Sequence, residues 1–266
     1  MLDLSPLGLV EPPFSLSPDP RYFYVSLQHK ATLAKVTYAI EQRQGLSIIF
    51  GDVGVGKTTI ARRLYQVYRD REDFRTSYIP TPLFPSDFQF LKSICAEFGL
   101  NPKRSKLLQL AAFEEFLIDV FKEDKNALLI IDEAQGLVGQ QFELIRQLLN
   151  FETNTQKLIQ IVLIGQNELR NKLRLKRALA SRVATRSTLD PLHFDDTRSM
   201  VNFRVMVAGR QDPLFTETAL VRIYDYSHGM PRDICVIGLN ALPIALLNKV
   251  SIIDEELVDE VIEELQ

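Results

Sequence analysis

The sequence predicts an α/β protein in which a parallel five-stranded sheet, covered by helices on both faces, precedes a small all-helical C-terminal lid. Three observations predict it. Short apolar runs alternate with helical periodicity as far as Pro191, the pattern of strands joined by crossover helices. Beyond Pro191, four stretches keep helical periodicity and none reads as a strand. After the first apolar run stands Gly51-Asp52-Val53-Gly54-Val55-Gly56-Lys57-Thr58-Thr59, a complete G-x-x-x-x-G-K-[ST] loop in the strand-to-helix setting the motif requires.

The expected division is an N-terminal arm (1–27), an α/β core (28–191) and a helical lid (192–266). Residues 11–24 are proline-rich but also rich in aromatics, which disordered leaders lack, so the arm is expected to be ordered. In the core a helix runs from Gln28 to Arg43, a buried strand from Leu46 to Phe50, and a helix from Ile60 to Tyr68. Arg75 to Ile79 is a second strand, ended by Pro80, Pro82 and Pro85. Helices follow over Ser86 to Phe98 and Leu107 to Phe121, separated by Gly99 to Ser105. Ala127 to Ile131 is a third strand, Gln141 to Asn150 a helix, Leu158 to Ile164 a fourth strand and Arg182 to Leu189 a fifth. The lid helices are Asp195 to Val207, Thr216 to Ser227, Pro231 to Asn248 and Asp254 to Leu265.

A hydrophobic share of 46% and a charged share of 24% are those of a soluble globular protein. No apolar run is long enough to span a bilayer, and the first residues lack the basic start and apolar core of a signal peptide. No membrane association and a cytoplasmic location are therefore expected. Cys95 and Cys235 show no C-x-x-C pattern and read as buried reduced thiols; His29, His193 and His228 are too scattered for a zinc site. The net charge of −3 argues against an obligate nucleic-acid binder. Yet seven acids and no base fall in residues 251–266, which leaves +4 over residues 1–250, and residues 170–186 hold seven bases and no acid. Such asymmetry permits a local basic surface.

Gly51, Gly54 and Gly56 allow the tight turn by which successive N–H groups of the loop, including those of Asp52, Val53, Val55 and Thr59, face a nucleotide phosphate. Lys57 supplies a point charge to the β- and γ-oxygens, and the Thr58 hydroxyl is placed to ligate Mg²⁺. The third strand runs straight into Asp132 and Glu133. A carboxylate at that point holds the magnesium shell, and its neighbour can polarise a water towards the γ-phosphate. The intervening strand and adjacent Glu indicate the additional-strand type of ATPase, and the absence of N-K-x-D favours ATP over GTP.

The fourth strand ends in Gly165, Gln166 and Asn167, where a polar side chain would lie beside the γ-phosphate; Gln166 is the first candidate and Asn167 the second. In Gly229-Met230-Pro231-Arg232 a helix opens with proline in its first turn, and Arg232 would project towards the nucleotide. Arg182, before the last strand, is too remote for its own phosphate and reads as a finger acting on a neighbouring subunit, with Arg177 and Arg186 as competitors.

These segments resemble the AAA+ ATPases, and within them the ExeA/GspA-type secretion ATPases and the TnsC/TniB-type transposition regulators. The narrower likeness is carried by the arm Pro13-Phe14-Ser15-Leu16-Ser17-Pro18-Asp19-Pro20, by Leu129 to Gln135, by Ile161 to Leu169 and by Gly229 to Arg232. Asn167 stands where the group usually has proline, and Val183-Ala184-Thr185 departs from the usual sequence after the finger. The resemblance implies ATP and Mg²⁺ as cofactors, Lys57 and Thr58 on phosphate and metal, Asp132 on the metal and Glu133 activating water. It further implies Gln166 as sensor 1, Arg232 as sensor 2, Arg182 as the finger, and Phe14 or Tyr22 to Tyr24 near the adenine. With no membrane span or wall-binding part in the sequence, the chain looks most like a stand-alone TnsC-like transposon ATPase.

The expected function is an ATP-dependent regulator of DNA transposition. It would oligomerise head to tail on duplex DNA as a ring or filament, recruit a transposase and a target-selector protein, and disassemble on hydrolysis. Candidate DNA contacts are Lys103, Arg104 and Lys106, Thr153 and Lys157, and Lys172 and Arg174. The alternative is an assembly ATPase of a secretion pathway with no nucleic-acid role.

Overall fold

A computed structural model describes residues 3–17 and 19–265; Met1, Leu2, Pro18 and Gln266 lie outside the described residues, Pro18 being one of the arm prolines quoted above. The chain forms two compact units, one of residues 28–53 and 60–189, the other of residues 3–27, 54–59 and 190–265.

The first unit is built on strands β1 (Leu46–Gly51), β2 (Phe74–Ile79), β3 (Asn126–Ile131), β4 (Ile159–Gly165) and β5 (Val183–Leu189). All pair in parallel in the order β2-β3-β4-β1-β5. β4 thus stands between the strand that feeds the glycine loop and the strand that ends at Asp132, which is the additional-strand arrangement. Every residue of β1, β3 and β4 is buried, as continuous apolar runs in a doubly covered sheet require. The edge strands β2 and β5 are only partly buried.

The helices of this unit are α1 (Leu27–Glu41), α2 (Lys57–Arg69), α3 (Asp87–Glu97), α4 (Lys106–Lys122), α5 (Gly139–Leu148), α6 (Asn167–Arg174) and α7 (Arg177–Ala180). Ser86 and Ser105 start α3 and α4 by accepting from the N–H groups of Gln89 and Leu108. Phe90, Phe113 and Leu144 pack from these helices against Ile48, Leu129, Ile161 and Leu163 of the sheet. Neither α6 nor α7 was expected from sequence. The seven bases of residues 170–186 masked the only apolar signal in α6, Leu169 and Leu173, which lie one turn apart and are buried.

The second unit packs α8 (Phe194–Val207), α9 (Glu217–Ser227), α10 (Pro231–Leu247) and α11 (Glu255–Leu265) around one apolar core. The arm belongs to this core. Phe14 is 0% exposed. Its ring meets Phe215 edge-on at 5.8 Å. It also fills the space a side chain at Gly238 would need. Arg204 donates to the carbonyls of Pro13 (2.7 Å), Ser15 (3.2 Å) and Tyr22 (3.2 Å). Arg210 likewise bridges Leu7 O at 2.8 Å and Ser251 O at 2.7 Å. Phe14 and Tyr22 are therefore core residues of this unit, and the arm is ordered as its aromatics led us to expect. Both cysteines are buried free thiols, and burial pushes Cys95 up to about 11. No helix of the described residues is long and apolar enough to cross a membrane.

Candidate nucleotide site

The strand register brings the exits of β1, β3 and β4 to one rim of the sheet. Phe50 lies opposite Gly165, and Ile131 opposite Leu163. Ligands of open parallel sheets bind at such carboxyl ends, where the strand order reverses. From Gly51 the chain enters the glycine loop, with Gly54 and Gly56 at φ +90° and +98°, and α2 begins at Lys57. The backbone N–H groups of a helix start are unpaired by helix bonds and favour a phosphate. Lys57 is 5% exposed, and Thr58 and Thr59 are half-buried.

Within the second unit the same loop lies against the start of α10. A Cβ built on Gly54 would stand 3.0 Å from Arg232 Cβ and 3.3 Å from Met230 Sδ. Arg232, expected from Gly229-Met230-Pro231-Arg232, is therefore beside the loop, with its side chain exposed. Gly229, at φ +75°, accepts from Leu192 N (2.8 Å) where a side chain would collide with Leu192 O. That approach fixes where α10 starts.

At the end of β3, Asp132 is 1% exposed and accepts from Glu133 N at 2.9 Å, and the Tyr78 hydroxyl stands 3.4 Å away. Burial first, then the Asp132 charge, pushes the Tyr78 phenol up to about 12. Glu133 is half-buried at φ +50°, ψ +35°, left-handed backbone that a long side chain rarely adopts. Residues 134–136 then form one 3₁₀ turn. Gln135 Nε2 donates to Glu133 Oε2, and Gln166 Nε2 approaches the same oxygen at 3.5 Å. Asn167 turns the other way and donates to Asp52 Oδ1 at 2.5 Å. The two sensor candidates thus face different carboxylates, Gln166 towards Glu133 and Asn167 towards Asp52. Gln135 was missed from sequence; its amide two residues beyond Glu133 was the available signal.

Arg182 sits at the opposite rim. It precedes Val183, which pairs with Leu46, the first residue of β1. Five residues of strand separate that point from Gly51, about 17 Å. Its guanidinium makes a 3.4 Å contact with Ala178 O. Arg186 donates to Ala180 O at 2.8 Å, and Arg177 is exposed at the start of α7.

The DNA candidates divide. Lys103, Arg104 and Arg174 are exposed. Lys106 is paired with Asp87 at 2.5 Å, and Lys157 with Glu152 and with Leu149 O at 3.0 Å. Thr153 closes its own turn by accepting from Thr155 N and Gln156 N. Lys172 donates to Gln135 O at 2.5 Å and Leu137 O at 3.1 Å, so its ammonium closes the turn after Glu133 and is not held out to solvent. Spacing in sequence could not reveal these partners, which come from other elements of the unit.

The sequence model of the AAA-domain family matches residues 40–173. General secretion pathway protein A of Aeromonas hydrophila is 39% identical over 239 residues, covering 88% of this chain and 43% of that protein. The chain therefore spans less than half the length of that curated relative. Among solved structures, the Aeropyrum pernix ORC2 protein in its ADPNP–ADP complexes superposes with a TM-score of 0.71 at 16% identity, covering 95% of this chain and 71% of that one. Drosophila ORC bound to DNA gives 0.71 at 17%, covering 98% and 66%. Cdc6p from Pyrobaculum aerophilum gives 0.69 at 18%, covering 99% and 71%. At these identities the likeness is one of fold.

Proposed function

The chain belongs to the AAA-domain family, and from that premise we propose that it is a Mg²⁺-dependent ATP hydrolase working as an assembly ATPase on protein partners of a secretion pathway. The observation that carries the hydrolase reading is Glu133, a carboxylate held in left-handed backbone at a strand end by two amides. Backbone strain of this kind persists where the surroundings over-determine it, commonly at active sites.

In the proposed reaction a water oxygen bonds to the γ-phosphorus while the bond to the β–γ bridging oxygen breaks, its electron pair leaving on ADP. Glu133 takes the water proton and returns it to phosphate. Lys57 and the loop N–H groups bind the β- and γ-oxygens, with Gly51 to Thr59 forming the cradle and Arg232 adding charge from the start of α10. Asp132 and Thr58 would hold Mg²⁺; a buried carboxylate and a hydroxyl suit this cation, which takes few protein carboxylates and keeps phosphate oxygens and waters. Bound Mg²⁺ neutralises charge on the transferred phosphoryl oxygens. Gln166 reads the γ-phosphate through the carboxylate it contacts. The placement of Arg182 at the far rim supports a finger that serves a neighbour, and hence head-to-tail assembly.

The 39% identity to the general secretion pathway protein, over 88% of this chain, supports a protein-remodelling role. A second reading, an ATP-dependent switch on duplex DNA that recruits a transposase and target selector, is favoured by the exposed Lys103, Arg104 and Arg174. It is weakened by the internal partners of Lys106, Lys157 and Lys172. Electron microscopy with a non-hydrolysable ATP analogue, with and without duplex DNA, separates the two. Nucleotide-dependent oligomers indifferent to DNA are expected. Oligomers formed only on DNA would transfer the conclusion to the second reading, and a nucleotide-indifferent monomer would reject both.

A further inference from the structure

Gln135 occupies a position that neither the phosphate loop nor the two carboxylates explain. Its side-chain amide spans the ends of two strands. The Nε2 end donates to Glu133 Oε2, beyond β3. The Oε1 end accepts from Gln166 N at 3.0 Å, beyond β4. The space for this bridge is reserved by the last residue of β4. A Cβ at Gly165 would fall 2.8 Å from Gln135 Oε1 and 3.1 Å from Gln135 N, although the backbone of Gly165 is ordinary strand. Lys172, from α6, fixes the main chain of the same turn through Gln135 O and Leu137 O.

The geometry of the carboxylate gives the bridge a consequence. Both amides, from Gln135 and Gln166, address Oε2 of Glu133, and no described residue donates to Oε1. Left-handed backbone at Glu133 sets where the side chain starts, and the amide sets which way its end is turned. A donor on one oxygen keeps the other available as an acceptor.

We propose that Gln135 is a positioning residue for ATP hydrolysis. Anchored on Gln166 N, it holds Glu133 by Oε2 and leaves Oε1 to take the proton of the attacking water. The proposal rests on the assignment of Glu133 given above. It also explains Gly165, where any side chain would displace the bridge, and it gives Lys172 a role in fixing the turn. Binding of nucleotide does not require the bridge, because Gln135 contributes nothing to the phosphate cradle.

The test compares Gln135→Ala and the isosteric Gln135→Glu in the full chain. Steady-state ATP hydrolysis is measured beside the Kd for a fluorescent ATP analogue. Misplacement of a reacting group by about 1 Å costs on the order of 100-fold, so both variants are expected to lose about 10- to 100-fold in kcat with Kd unchanged. In a Glu133→Gln background Gln135→Ala is expected to add nothing, because the group it positions can no longer take a proton. Unchanged kcat in either folded variant overturns the proposal, as does a loss that appears equally in Kd. Losses that multiply in the Glu133→Gln background also overturn it. Full activity in Glu133→Gln alone would reject the underlying role of Glu133, and that result is read independently of any change at Gln135.

Discussion

The two rims of the sheet in the α/β unit use the same kinds of polar residue in opposite ways. At the rim where the strands begin, Gln160, Asn126 and Arg43 bond to main chain. Gln160 Oε1 accepts from Gly45 N at 2.7 Å, and its Nε2 donates to Lys157 O at 3.1 Å. Asn126 donates to Ile40 O at 3.0 Å, and Arg43 to Lys125 O at 2.9 Å. At the rim where the strands end, side chains also meet the carboxylates of other side chains: Gln135 and Gln166 on Glu133, Asn167 on Asp52, Tyr78 on Asp132. A side chain bonded to main chain stitches the fold and has one answer. One bonded to another side chain can exchange its partner when a ligand arrives. The left-handed Glu133 lies at this second rim.

Replacing Glu133 by glycine is the strongest way to sharpen this contrast. A general base is worth about 10² to 10⁴ in rate, so turnover should fall by that factor. Relief of the left-handed strain should raise unfolding stability by about 1 kcal/mol, measured by denaturant titration. A less stable Glu133→Gly protein would make the residue a structural support and erase the distinction between the rims.

Gln160→Ala probes the other rim. It leaves the buried Gly45 N–H without its acceptor, a loss of about 1–3 kcal/mol in the same titration, with kcat unchanged. A kcat effect equal to that of the far-rim variants would break the comparison.

The smallest expected effect separates two lysines that sequence placed in one class. Lys172→Met should slow turnover by about tenfold, because it frees the turn that carries Gln135. Lys106→Met removes a partly exposed pair with Asp87 and should change stability by less than about 1 kcal/mol, leaving turnover intact.

The elements with a strong period or a fixed motif were legible in the sequence. The five strands and the major helices lie within a few residues of their expected bounds, because continuous apolar runs and capping serines are local signals. The glycine loop, Asp132 and Glu133 were legible for the same reason. Partners across strand ends were not. Whether an amide at position 166 or 167 turns to Glu133 or to Asp52 depends on how β4 registers against β1 and β3, and no short window holds that information. The same holds for Lys172, whose charge suggested a solvent-facing contact until the carbonyls of a separate turn came within reach. The aromatics of the arm pointed to an ordered segment, but not to the partner of Phe14, which meets Phe215 two hundred residues away in sequence.

Arg204 and Arg210 give the arm a practical meaning. Their guanidinium groups take carbonyls of residues 7, 13, 15 and 22 as partners, and Arg210 also grips Ser251 just before α11. Trimming the chain to begin at α1 would not remove a dangling leader. It would empty the place of Phe14, strip Arg204 of its three carbonyl acceptors and take one from Arg210. Any shortened version should be expected to unravel from its far end, and a tag or fusion is better placed ahead of the arm than in exchange for it.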